Sequence, residues 1–183
     1  MRALILLAGL LALAGCDRED AARSQAAGGD SAASPAGPSA GVDRSQAGRP
    51  APPVAFRDPD GEDASLSDFA GRPVLVNLWA TWCAPCVKEL PTLAALADRP
   101  GAPQVIALSQ DMGEQAKVAT FLAERNIALE PYQDAEMAMS AALGANILPT
   151  TVLYGADGRE VWRYTGDLDW TGAQAAELLR EAR

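Results

Sequence analysis

The chain has 183 residues, with fifteen Lys+Arg against twenty-four Asp+Glu, a formal charge of -9 and no histidine. The acidic balance argues against a nucleic-acid partner, because phosphate binding needs a basic surface. The missing imidazole excludes Ser-His-Asp and Cys-His catalysis, His-containing zinc sites and haem attachment that needs a His after CxxC. The cysteines are Cys16, Cys83 and Cys86, and the chemistry is sought there.

Residues 1–15 read as an export signal: Arg2, an apolar run from Ala3 to Leu13, then the small residues Ala14 and Gly15. The run is shorter than the ~20 apolar residues of a permanent membrane span. Leu13-Ala14-Gly15-Cys16 resembles the bacterial lipoprotein box. The resemblance implies cleavage before Cys16, a lipid on Cys16 and a periplasmic, membrane-anchored protein, with Asp17 favouring the inner membrane. The alternative is an ordinary signal peptide with a chance cysteine. A lipid on Cys16 would also account for the odd cysteine count. Residues 16–53 are built from Ala, Gly, Pro, Ser and charge, with Val42 the only larger aliphatic side chain. So little apolar surface cannot offset chain entropy, which predicts a disordered linker. As a flexible coil it would span roughly 35 Å.

Residues 54–183 alternate between strand and helix patterns. Val74 to Trp79 is an apolar run suited to a strand buried on both faces. A helix follows, with Leu90, Leu93, Ala94 and Ala97 on one face and Pro91 predicted to kink it. Val105 to Leu108 reads as a second buried strand, and Val118, Phe121 and Leu122 mark a second helix. Residues 127–143 are expected to add a strand and a helix. Thr150 to Tyr154 and Glu160 to Tyr164 flank Gly155-Ala156-Asp157-Gly158, a hairpin signal. Thr171 and Gln174, at capping-box spacing, open a last helix that buries Ala175, Leu178, Leu179 and Ala182. The pattern predicts an α/β domain, a sheet covered by helices on both faces. Met137 and Met139 read as packing residues rather than copper ligands.

The informative string is Trp82-Cys83-Ala84-Pro85-Cys86, directly after the most buried strand and at the start of a helix. Cysteines three apart on a first helical turn can close a disulfide. The helix N-terminus favours a thiolate on Cys83, and Pro85 fits a turn whose N–H groups are unpaired anyway. Cys83, at the tip, is the expected nucleophile and Cys86, one turn inward, the resolving thiol. A structural disulfide in so short a loop would stabilise little, and zinc would need two further Cys or His ligands that the chain lacks. No metal and no cofactor beyond the dithiol are expected.

The segment from Val76 through Cys83 and Cys86 to Pro91 resembles the active-site stretch of the TlpA/ResA group of thioredoxin-like proteins. Leu148-Pro149-Thr150-Thr151 before a strand extends the match, which covers the chain from about residue 54 onward. The resemblance implies a thioredoxin-like fold, a central mixed β-sheet flanked by helices, with a TlpA/ResA-type central insertion near 127–143. Ser65 to Gly71 would belong to the group's N-terminal extension. It also implies a cis peptide bond before Pro149, which would turn the Leu148 backbone toward Cys83 so that a client segment could add as a strand. Trp82, Leu148 and Thr150 are the substrate contacts so implied. Thioredoxin's buried Asp is replaced by Asn77. Glu89, where ResA-like members carry a glutamate, could tune the thiols or pass a proton; a solvated helix charge is the other reading. Lys88 reads as a surface residue and Trp79 as core.

These readings predict a membrane-tethered, extracytoplasmic thiol:disulfide oxidoreductase that reduces disulfides in cysteine-containing clients. By resemblance these are apocytochrome c or copper-site proteins, with a membrane thiol shuttle as electron donor. A monomer is expected. Leu148-Pro149-Thr150-Thr151 departs from the Ala-Pro-Glu-Thr of the cytochrome-maturation branch, which weakens a dedicated haem role. The competing readings are a redoxin-type thiol peroxidase and a non-catalytic metallochaperone or binding module.

Overall fold

A computed structural model describes residues 41–182; the expected signal peptide, Cys16 and the linker up to residue 40 lie outside the described residues. The strands are β1 (Gly41–Asp43), β2 (Ala55–Arg57), β3 (Asp63–Ser65), β4 (Val74–Trp79), β5 (Gln104–Ser109), β6 (Thr150–Tyr154) and β7 (Glu160–Thr165). The helices are α1 (Ala84–Ala97), α2 (Gln115–Glu124), α3 (Ala138–Leu143) and α4 (Ala173–Leu179).

The main sheet runs β1-β7-β6-β4-β5, and β2 and β3 pair as a separate hairpin. Only β4 and β5 are parallel, in the register Val76↔Ile106; the other neighbours are antiparallel, so the sheet is mixed. All six β4 residues are buried, as a central strand covered on both faces requires. Their alternation divides the core. Leu75 and Trp79 join Leu90 and Leu93 of α1, Val118 of α2 and Leu178 of α4 on one side. Val74, Val76 and Leu78 pack with Phe56, Tyr132 and Met139 of α3 on the other. Each fully buried leucine in these layers is worth about 1.5–3 kcal/mol over leaving it in water. This is the thioredoxin-like arrangement.

Several expectations are corrected. The linker does not extend to residue 53, because residues 41–53 are ordered against the sheet edge. β1 pairs with β7. The Gly48 N–H donates to Glu160 O at 2.7 Å, the Glu160 N–H to Arg49 O at 2.8 Å and the Ala51 N–H to Gly158 O at 2.9 Å. Composition measures what side chains can bury, whereas an open edge recruits main-chain groups whatever the side chains are. The extra strand in 127–143 is a single bridging residue: Gln133 joins Arg57 and Ser109. The last helix starts at Ala173 with Gly172 as its cap, and the Thr171 N–H bonds Asp169 Oδ1 at 2.9 Å instead of forming a capping box. Within α1, Leu96 rather than Ala97 is buried.

Candidate active site

β4 delivers the chain to the N-terminus of α1, and this junction carries the cysteines. Cys83 is the cap of α1, with φ -90° and ψ 97°, and Pro85 lies in the first turn. Cys83 and Cys86 are joined by a disulfide with Cα atoms 5.3 Å apart. Cys83 Sγ accepts the Cys86 N–H at 3.4 Å. Cys83 keeps 6% of its surface exposed and Cys86 none, so an incoming group meets Cys83 first. Cys83 is thus more enclosed than a bare helix tip implies.

Behind the pair lies a buried polar cluster. Asn77 shares the inward face of β4 with Leu75 and Trp79, and Glu89 lies three residues beyond Cys86 on the buried face of α1. Glu89 is only 2% exposed, which removes the reading of a solvated helix charge. Asn77 Nδ2 donates to Glu89 Oε1 at 2.7 Å and to Thr151 Oγ1 at 2.9 Å. The Leu168 N–H and the Trp170 Nε1–H donate to Glu89 Oε2 at 3.1 and 3.2 Å. Burial lifts the Glu89 carboxyl from 4.5 to about 7, although these donors favour the charged form. The group can therefore hold or release a proton near neutral pH. Neighbouring Lys88 is exposed and paired with Asp167 at 2.9 Å.

The segment after β7 ties this cluster to the Pro149 loop. Its Gly166 N–H donates to Pro149 O at 2.9 Å, and its Trp170 N–H donates to Thr92 Oγ1 of α1 at 3.2 Å. The Leu148–Pro149 peptide bond is cis. Leu148 lines an open groove of about 740 Å³ with Trp82, Cys83, Pro85, Met137 and Glu136. Trp82 is 69% exposed beside it. Thr150 does not line the groove: it is buried, and its hydroxyl donates to Ile147 O at 2.7 Å. Met139 is buried, whereas Met137 faces the groove. Among the described residues, no three His, Cys, Asp or Glu side chains could hold a metal ion.

Sequence reasoning missed Thr151, Leu168 and Trp170 as partners of the Asn77–Glu89 pair. No spacing rule links positions 74 to 81 residues apart; a tryptophan in a polar loop after the last strand was the one available hint.

The family model described as Redoxin matches residues 46–179. The thiol-disulfide oxidoreductase ResA of Bacillus subtilis is 30% identical over 130 residues, 70% of this chain and 73% of its own length. The crystal structure of StoA from Bacillus subtilis superposes with a TM-score of 0.57 at 20% identity, covering 73% of this chain and all of its own. The exposed lipoprotein thioredoxin of Streptococcus pneumoniae superposes with a TM-score of 0.56 at 19% identity, covering 70% of this chain and 98% of its own. At that identity the two structures speak for the fold alone.

Proposed function

Because the chain belongs to the redoxin family, as a ResA-like thiol-disulfide oxidoreductase of thioredoxin-like fold, we propose that it works as a reductase of extracytoplasmic client proteins through Cys83 and Cys86. The observation that carries this reading is the placement of the pair. Cys83 faces the groove at the N-terminus of α1, Cys86 is sealed behind it, and a carboxyl that titrates near 7 lies one turn further in.

In the reduced protein the helix N-terminus favours the Cys83 thiolate. The thiolate attacks one sulfur of a client disulfide. A Cys83–client bond forms, the client S–S bond breaks, and the departing client thiolate takes up a proton. Cys86, deprotonated with Glu89 as acceptor, then attacks Cys83 Sγ. This closes the Cys83–Cys86 disulfide and releases the second client thiolate, so two electrons have passed to the client. An external dithiol must restore the pair, and a membrane thiol shuttle is the donor we assign. In the groove, Trp82 and Leu148 hold the client segment, which adds along the Pro149 loop. The Thr150 hydroxyl is not counted among these contacts.

Clients whose cysteines must be reduced before a haem or copper is installed fit this chemistry. The reading includes a lipid on Cys16 and residence on the periplasmic side of the inner membrane, as a monomer. The anchor rests on the Leu13-Ala14-Gly15-Cys16 string. Among the described residues no helix is long and apolar enough to cross a membrane.

The test is trapping with the full chain carrying Cys16→Ser. With Cys86→Ser added, a peptide disulfide should accumulate on Cys83 as a stable mixed disulfide; with Cys83→Ser it should not. Peroxide consumption without disulfide exchange would favour a thiol peroxidase, and bound copper without either would favour a metallochaperone.

A further inference from the structure

The turn Ala80–Cys83 between β4 and α1 has one main-chain bond of its own, from the Cys83 N–H to Ala80 O at 3.1 Å. The rest of its anchoring comes from the end of β5. The Gln110 N–H donates to Trp79 O at 2.8 Å, and there the main-chain ladder stops. The side chain of Asp111 takes over. Its Oδ2 accepts the Thr81 N–H at 2.8 Å, and its Oδ1 accepts the Thr81 hydroxyl at 2.6 Å. Ser109 Oγ donates to the same Oδ2 at 2.8 Å and accepts the Asp111 N–H at 3.1 Å. The Asp111 carbonyl is held by Gln133 Nε2 at 2.8 Å, and Gln133 is the buried residue that bridges β2 and β5. Asp111 forms no salt bridge with the basic side chains of the described residues. Its acceptor capacity goes to Thr81 and Ser109.

We propose that Asp111 is a positioning residue for Cys83, acting through the Thr81 turn; the inference rests on the thiol-exchange reading above. A carboxylate accepting hydrogen bonds makes stronger links than a neutral acceptor would. Here those links fix the residue two positions before the nucleophile. Cys83 is useful as a cap only while its backbone keeps the angles that aim Sγ at the amides of the first turn. In the reduced protein those amides stabilise the thiolate, so freeing the turn destabilises the dithiol form and slows attack. The negative charge of Asp111 would act in the opposite sense, disfavouring a nearby thiolate. Positioning and charge therefore predict shifts of opposite direction.

The experiment uses the full chain with Cys16→Ser, equilibrated against glutathione buffers, and measures the rate with oxidised glutathione alongside thermal stability. Asp111→Ala should slow exchange about tenfold and move the equilibrium about tenfold toward the Cys83–Cys86 disulfide, a potential change of about -30 mV. Asp111→Asn, which keeps an acceptor for the Thr81 N–H, should stay within about twofold of the parent. Thr81→Val, which loses only the hydroxyl bond, should shift the same way by about threefold, and it decides the matter if Asp111→Ala does not fold. An Asp111→Ala protein that only melts earlier, with rate and potential unchanged, overturns the assignment. So does a joint shift of Asp111→Ala and Asp111→Asn toward the dithiol, which would mean charge rather than position. If the parent itself shows no exchange, the thiol-exchange reading fails and takes the assignment with it.

Discussion

Asn77 on β4 and Glu89 on α1 meet inside the molecule, with Asn77 Nδ2 donating to Glu89 Oε1 at 2.7 Å. An asparagine at this place cannot exchange a proton; in the proposed mechanism that role falls to Glu89 on the helix, whose carboxyl burial lifts to about 7. The carboxamide serves as a fixed donor that moderates the carboxyl's rise.

Glu89 makes stability fall as pH rises from about 4.5 to about 7. Its carboxyl lies at about 7 in the fold against 4.5 ordinarily. Below the lower value both states are protonated and its contribution is complete. Between the two the folded protein binds a proton that the unfolded chain does not, so stability falls as pH rises. Ionising the buried group costs on the order of 3 kcal/mol. Asp43, Asp167, Asp169 and Glu181 have lowered carboxyls and lose stability only in acid, outside this window. Urea unfolding at pH 5 and pH 8 should show a decline in the parent that Glu89→Gln lacks. The comparison is of slopes, because the glutamine amide would face the donors of Leu168 and Trp170 at every pH.

Trp170 supplies one of the bonds that favour the charged form of Glu89 against its burial. Trp170→Phe keeps a ring against Trp162 and removes the indole N–H. The Glu89 midpoint should move upward, seen as a pH–rate profile for disulfide exchange displaced to higher pH. A small stability loss of about 1–2 kcal/mol should accompany it.

How much of this was legible in the sequence varies by element. The strands around Val76, Ile106 and Val152 and the cysteine-bearing start of α1 could be read because buried strands and helix starts leave local marks. The order of residues 41–53 could not, since it depends on main-chain bonds to Glu160 and Gly158, which no composition records. Glu89 could be named but its burial could not, because that depends on Trp170 and Leu168 arriving from a loop some 80 positions away. Asp111 carried no motif at all; only the fold places it on Thr81.

Removing residues 41–53 should destabilise the protein while leaving the cysteine site intact. The main-chain bonds of Gly48, Arg49 and Ala51 to the β7 side are lost, each worth about 0.5–1.5 kcal/mol net. Denaturant unfolding should report a loss of about 2 kcal/mol or more, with exchange by the remaining folded protein unchanged.

Trp82 is a surface side chain beside the groove, so Trp82→Ala should leave unfolding nearly unchanged. Exchange with protein clients should slow by about five- to thirtyfold, in the range of an aromatic anchor at an interface. Exchange with a small disulfide should slow much less. Competition between a client peptide and oxidised glutathione reads the difference directly.

The most direct test of the central claim is the reduction potential of the Cys83–Cys86 pair. The full chain with Cys16→Ser would be titrated by tryptophan fluorescence against thiol/disulfide buffers, with Cys83→Ser as control. A reductase gives one two-electron transition near or below about -250 mV, absent in the control. A potential near about -120 mV would make the protein a disulfide donor and reverse the direction proposed, and no transition at all would contradict redox chemistry at this pair.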